Sequence, residues 1–212
     1  MKRRSDEEIS APLYAFDAEV RSQYGCFAGV DEAGRGPLCG PVCVAACILD
    51  PENPVYGIND SKKLTPARRE LLAVKIAEVA TAIGFCHIAP EAIDDMGMAR
   101  AIRAAVAGAV ADTGLEPDCV LMDGNPLGAV PNERDVVKGD AKIACIAAAS
   151  IMAKVTRDEM MVEYDAEYPE YHLAESKGYA SPEHIEAIRK HGLSPLHRVS
   201  FCGNFLQTER LF

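Results

Sequence analysis

The sequence has no Cys-x-x-Cys pair, no apolar run long enough to span a bilayer, and no excess of basic charge. Each absence narrows the reading. Eight cysteines would otherwise invite a zinc site or a disulfide framework. Without paired spacing, and with no apolar leader behind the basic start MKRRSDEEIS, they read as reduced, mostly buried thiols of a cytoplasmic protein. That start reads as a frayed, solvated tail. Cys39, Cys43 and Cys47 recur at helical spacing, but Gly40 and Pro41 between them argue against a helix there. The missing long apolar run removes a membrane span. The formal net charge is −10, where a nucleic-acid binder is usually expected to be basic, so such binding would rest on a local basic patch and bound cations. A phosphate-binding P-loop, a dinucleotide glycine fingerprint, a serine nucleophile elbow, internal repeats and low-complexity segments are also absent.

What is present suits one globular domain with a small appendage: 212 residues, 49% hydrophobic and 25% charged. Residues 13–23 suggest a short leading helix. CFAGVDE and PVCVAACIL read as strands joined by a glycine turn, and DPENPVYGINDSKKL as a loop. TPARRELLAVKIAEVATAI reads as a helix capped by Thr65, with Pro66 at its first position and Leu72, Ile76, Val79 and Ile83 along one stripe. GFCHIA is a short strand. A helix from Pro90 runs on to Gly114, DCVLMDG is a buried strand, and RDVVKG suggests a short one. AKIACIAAASIMAKVTRDEMMVEYDAEY is a long alanine-rich helix whose small residues permit close packing on a sheet. SPEHIEAIRKHG is a helix in the C-terminal portion. Strands alternating with helices imply an α/β sheet with helices on its faces, followed by a helical C-terminal part.

The chemistry gathers at strand ends. Asp31 and Glu32 stand before the turn Gly34-Arg35-Gly36, Asp123 ends another strand before Gly124, and Asp140 follows Gly139 ahead of a helix. Ligand sites of α/β sheets lie at such places. Consecutive strand residues face opposite ways, so Asp31 and Glu32 converge only if the strand ends there. Clustered carboxylates repel unless protonated or bridged by a cation, and oxygen-only ligands suit Mg²⁺ or Mn²⁺. Such ions drive in-line attack on phosphodiesters. The glycines let a backbone approach a substrate and Arg35 can pair with phosphate, although a plain tight turn explains the same residues equally well.

Several segments together resemble the type 2 ribonucleases H, bacterial ribonuclease HII among them. GVDEAGRGPLCGPVCVAACIL, NDSKKLTPARRE, LMDGN, VVKGDAKIACIAAASIMAKVTRD and GLSPLHRVSF follow in order over residues 28–201. The resemblance implies a ribonuclease H-like α/β fold: a mixed central sheet flanked by helices, with a helical C-terminal portion. Residues 1–24 would be an N-terminal extension, and 25–212 the domain, its catalytic core ending near residue 168. It implies an endonuclease that cleaves RNA in RNA–DNA hybrids. It further implies cleavage 5′ of single ribonucleotides in duplex DNA, leaving 3′-hydroxyl and 5′-phosphate ends. Two divalent ions, Mn²⁺ or Mg²⁺, would bridge the scissile phosphate. By the same resemblance Asp31, Glu32 and Asp123 are the metal-binding acids and Asp140 is the fourth catalytic carboxylate. Gly34, Arg35 and Gly36 read the ribonucleotide and its 2′-hydroxyl, Tyr179 packs on the sugar, and Lys62 and Lys63 lie near backbone phosphates. Where the family often has histidine before Lys-Gly-Tyr, this chain has Ser176.

Arg35, Lys62, Lys63, Lys138, Lys142 and Lys177 are expected to form a local basic rim. His184 and His191 read as surface or capping residues, and His197-Arg198 as a structural closure of the C-terminal part. QTERLF, with Leu211 and Phe212, partly resembles peptides that dock on sliding clamps. A monomer is expected. A non-catalytic hybrid-binding module and a small-ester phosphatase are the rival readings.

Overall fold

The computed structural model describes residues 4–124 and 127–205. The first helix, α1, spans Asp6–Tyr24. Ser5 Oγ accepts from the Glu8 amide at 3.1 Å, and the Glu8 carboxylate accepts from the Ser5 amide at 2.7 Å. This reciprocal cap satisfies two orphan donors. The chain is therefore helical from Asp6, well before residue 13. Buried Asp17 also ties α1 to the core. Its two carboxylate oxygens accept from the Ala144 and Cys145 amides at 2.8 and 3.2 Å. Those amides open helix α5, Ala144–Glu167.

Strands β1 (Phe27–Ala33), β2 (Val42–Ile48), β3 (Ala82–Ile88), β4 (Cys119–Asp123) and β5 (Glu133–Val136) form a mixed sheet in the order β3-β2-β1-β4-β5. The pairs β1–β2 and β2–β3 are antiparallel, while β1–β4 and β4–β5 are parallel. Helices α2 (Pro66–Val79), α3 (Pro90–Met96) and α4 (Met98–Asp112) connect the strands. The short α6 (Leu173–Ser176), then α7 (Pro182–His191) and α8 (Val199–Cys202), make the C-terminal portion. Among the described residues no helix is long and apolar enough to cross a membrane.

Two boundaries differ from expectation. Helix α2 stops at Val79, so Ile83 lies in β3 and not on the helical stripe. Gly97, at φ +81°, divides the helix expected from Pro90 into α3 and α4. That backbone conformation suits glycine and breaks the hydrogen-bond ladder.

The sheet separates two apolar layers. Leu121, Phe27 and Ala45 pack with α1, α2 and α5, whereas Val30, Val44 and Val120 pack with α4. Gly29 sits where β1 meets α5. A Cβ there would stand 2.4 Å from the Cys145 carbonyl carbon and the Ile146 nitrogen. Both are backbone atoms and cannot rotate away. Gly29→Ala is expected to destabilise the protein by about 3 kcal/mol, as overpacking in a rigid core does. Urea unfolding monitored by circular dichroism measures it.

Candidate active site

Parallel pairing puts the C-terminal ends of β1 and β4 side by side. Val30 is in register with Met122, so Asp31 and Asp123 each stand one residue further on. Side chains alternate along a strand. Asp31 follows Gly29 by two and Asp123 follows Leu121 by two, which sends both carboxylates to the α5 face. Asp140 joins them from a 3-10 turn, Gly139–Ala141, just before α5. One carboxylate oxygen from each of Asp31, Asp123 and Asp140 lies within 4.8 Å of the others. The turn is anchored at the cluster, because the Gly139 amide donates to Asp123 Oδ1 at 2.6 Å.

Glu32 is placed differently. Strand β1 continues through it to Ala33, so its side chain leaves from the opposite face to Asp31. Its carboxylate pairs with Arg35 at 3.2 Å. It remains close enough in charge for Asp123 to act on it. Burial holds Glu32 above the usual carboxylate range, and Arg35 partly offsets that.

The cluster is strained electrostatically. Burial, and then the neighbouring Glu32 charge, pushes Asp31 up to about 8, with the Ser150 hydroxyl of α5 opposing the rise. Burial, followed by the Asp123 and Asp60 charges, also raises Asp140. Three crowded acids with oxygen donors only fit a hard divalent cation, which would remove this repulsion. Asp60 was not singled out in the sequence. It caps the 3-10 turn Ser61–Lys63, accepting from the Lys62 amide at 2.9 Å, and pairs with Lys63 at 3.4 Å. Ser61 Oγ lies 2.9 Å from Ser150 Oγ, so this turn is fastened to the helix behind Asp31. Lys62 and Lys63 are exposed beside the acids.

The glycine turn meets Tyr179 directly. A Cβ on Gly36 would have the Tyr179 ring at 3.8 Å, and both residues are exposed. Gly34 has φ +97°. Ser176 takes a local role, its hydroxyl accepting from the Gly178 amide at 3.2 Å and its carbonyl from the Tyr179 amide at 2.9 Å. Lys142 reaches the Val137 carbonyl at 2.6 Å, Lys177 leans toward the Asp158 carbonyl at 3.5 Å, and Lys138 is exposed beside the 3-10 turn.

His184 is not a surface residue: it is fully buried and bonded to His197, because α7 packs inward over Tyr171 and Leu173. His191 is exposed. All eight cysteines are free. Two buried arginines also went unassigned as site residues. Arg157 of α5 donates to the carbonyls of Pro41, Lys177 and Cys39 at 3.0, 3.0 and 3.1 Å. Arg198 does the same for the glycine turn. No local pattern signals either role, since the partners lie more than 100 residues away for all but Lys177.

The model of the family "Ribonuclease HII" matches residues 28–204. The ribonuclease HII of Ruminiclostridium cellulolyticum is 42% identical over 211 residues, 98% of this chain and 83% of the relative. That of Vibrio vulnificus is 49% identical over 184 residues, 86% and 89% of the two chains. Among solved structures, the ribonuclease H2 of Pyrococcus horikoshii superposes with a TM-score of 0.73 at 27% identity, over 86% of this chain and all of that one. The ribonuclease HII of a PCNA complex from Archaeoglobus fulgidus gives 0.73 at 24% identity, covering 87% and 98%. Bst ribonuclease HIII in complex with Mn²⁺ gives 0.67 at 19%, covering 83% and 67%. The last two likenesses concern the fold alone.

Proposed function

The chain belongs to the ribonuclease HII family, hydrolases that act as endonucleases on the RNA of RNA–DNA hybrids, and from that premise we propose a finer activity. It nicks duplex DNA on the 5′ side of a single embedded ribonucleotide, leaving a 3′-hydroxyl and a 5′-phosphate. The observation that carries this reading is the adjacency of three converging acids to a glycine turn whose Arg35 and Gly36 are exposed beside Tyr179. A site for hydrolysing long RNA alone has no need of a reader built for one sugar. The 2′-hydroxyl is the feature that tells RNA from DNA at one position.

When bound, Mg²⁺ or Mn²⁺ ions supply an activated water and charge for the leaving 3′ oxygen. Asp31, Asp123 and Asp140 would hold them, and Glu32, leaving the opposite face of β1 and paired with Arg35, would join as a ligand only by turning from that partner. Arg35, exposed and paired with Glu32, exchanges that partner for a substrate phosphate. Lys62 and Lys63 neutralise neighbouring phosphates. The Gly34–Gly36 backbone reads the 2′-hydroxyl while Tyr179 packs against the sugar. Residues 25–212 act as the catalytic domain, as a cytoplasmic monomer. The tail with Leu211 and Phe212, which lies outside the described residues, is proposed as a ligand for a sliding clamp.

The test is a duplex carrying one ribonucleotide, with Mg²⁺ or Mn²⁺, beside an all-DNA control. A nick 5′ of the ribonucleotide that disappears in Asp123→Asn is the expected result. Intact substrate with either metal would leave a hybrid-binding module, and an Asp123→Asn protein of wild-type rate would remove that acid from the chemistry.

A further inference from the structure

The segment Leu196–Arg198 lies alongside the glycine turn as a short antiparallel bridge. Cys39 pairs with His197, the Arg198 amide donates to the Leu38 carbonyl at 2.8 Å, and the Gly40 amide to the Leu196 carbonyl at 2.8 Å. On its other side the Leu38 amide donates to the Gly178 carbonyl, next to Tyr179, at 2.8 Å. The side chains of His197 and Arg198 then reach the two halves of the proposed reader.

Arg198 is fully buried. Nη2 donates to the Gly34 and Gly40 carbonyls, each at 2.7 Å. Nη1 donates to those of Pro37 and Arg35 at 3.0 and 3.3 Å, and Nε to Gly40 at 3.0 Å. Among the described residues no carboxylate forms an ion pair with it. A buried charge is tolerated only when its donors are satisfied, and here carbonyl dipoles alone satisfy them. The consequence follows from peptide geometry. In a trans peptide the C=O and the next N–H point opposite ways. With the Gly34 and Arg35 carbonyls drawn inward, the Arg35 and Gly36 amides are turned away from the guanidinium. Both residues are exposed, and among the described residues no hydrogen bond within the chain uses either amide, so both remain available as donors.

His197 works through a second ring. The Ser194 amide donates to its Nδ1 at 3.0 Å. An amide N–H cannot accept, so Nδ1 is the acceptor and the neutral ring carries its proton on Nε2. That proton is donated to His184 Nε2 at 3.1 Å. His184 then carries its own proton on Nδ1 and donates it to the Tyr179 carbonyl at 2.8 Å. Every polar atom of both rings is used once the tautomers are set this way. Burial lowers both imidazoles from their ordinary value, His197 to about 4, so the chain of donors is intact at neutral pH. Cys39 Sγ stands 3.9 Å from His184 Nε2, a trio that invites a soft metal. The Ser194 amide argues against that, since it leaves His197 Nε2 protonated. Burial also pushes the Cys39 thiol up to about 12, far from thiolate.

We propose that His197 and Arg198 are positioning residues for ribonucleotide recognition, Arg198 by gathering the carbonyls of the Gly34–Gly40 turn and His197 by holding the Tyr179 backbone through His184. This rests on the reading of Gly34–Gly36 and Tyr179 as the reader.

Two side-chain swaps separate positioning from bulk. His197→Gln can place an amide donor where Nε2 stands, whereas His197→Asn can mimic only Nδ1. On the one-ribonucleotide duplex, kcat is expected to stay within about threefold of wild type for His197→Gln. It should fall about tenfold for His197→Asn and about a hundredfold for Arg198→Lys, which lacks the fork. Mn²⁺ binding by calorimetry should be unchanged in all three. Equal losses for Gln and Asn, or Mn²⁺ binding lost in step with rate, would show a merely structural role and overturn the proposal. Long-range nitrogen-15 NMR of the wild-type histidines gives a readout that needs no substrate. His197 as the Nε2–H tautomer and His184 as Nδ1–H support the relay. The reverse tautomers, or an equivalent of zinc in the purified protein, overturn it. A wild type with the expected tautomers that fails to nick would instead overturn the proposed activity, and the reader with it.

Discussion

Asp31→Asn is expected to abolish cleavage, by about a thousandfold or more, and at the same time to make the metal-free protein more stable. Both effects come from one arrangement. Asp31 is buried and lies beside the charges of Glu32 and then Asp123, so the folded state favours its protonated form. The unfolded chain gives up that proton near pH 4, while the folded chain keeps it to about pH 8. Asp31 therefore stabilises the metal-free fold least at high pH, and its contribution is lost as pH rises through that window. Asparagine has no such loss. The stability advantage of the variant should grow from pH 5 to pH 8, reaching about 1–3 kcal/mol. Saturating Mn²⁺ should reverse the order, because binding to the folded state alone stabilises wild type more. Urea melts at two pH values, with and without Mn²⁺, give all four comparisons. A variant no more stable than wild type without metal would mean that the acids are not crowded in solution.

Gly34→Ala is expected to lose about a hundredfold in cleavage rate at a single ribonucleotide while keeping Mn²⁺ binding. Gly34 adopts φ +97°, a conformation that strains any residue with a side chain. The added Cβ would also stand 2.2 Å from Arg157 Nε and 2.6 Å from the Pro41 carbonyl oxygen. Those two atoms are themselves hydrogen-bonded at 3.0 Å, so the methyl group cannot enter without parting them. The turn would move while Asp31, three residues earlier on β1, stays held by its strand partners. Gly36→Ala is the contrast. Its Cβ would meet only the Tyr179 ring at 3.8 Å, ordinary contact, so the fold should tolerate it. Cleavage assays and Mn²⁺ calorimetry on both variants check this. Equal rates for Gly34→Ala and wild type would remove the turn from recognition.

Much of this protein was legible as a string. The strand-ending acids, the Gly-Arg-Gly turn and the Lys-Gly-Asp segment are short, and their chemistry resides in adjacent residues. Their order along the chain was enough to point to the family that the comparisons then showed. The N-cap at Thr65 and the alanine-rich helix were legible too, because capping and close packing are local demands. The break at Gly97 and the early start at Ser5 were missed. A glycine inside an apolar period reads as tolerated, and a charged start reads as solvent-borne, until a tertiary partner gives either a role. For α1 that partner is the amide pair at the head of α5, more than 120 residues away.

The sequence by itself determined which groups are available: oxygen ligands for a hard cation, a backbone free to turn at Gly34, and thiols without paired spacing. Only the tertiary structure decided how they are divided. Parallel pairing of β1 with β4 put Asp31 and Asp123 on one face, and the continuation of β1 to Ala33 sent Glu32 to the other. Burial brought His184, which reads as surface, and His197-Arg198, which read as closure, into hydrogen bonds with each other, with the Tyr179 carbonyl and with the turn, and it placed Arg157 on the Cys39 and Pro41 carbonyls beside them. The reason is physical. Donor type and backbone freedom belong to single residues, whereas the direction of a side chain and the partner of a buried charge are set by segments that meet only when the chain has folded.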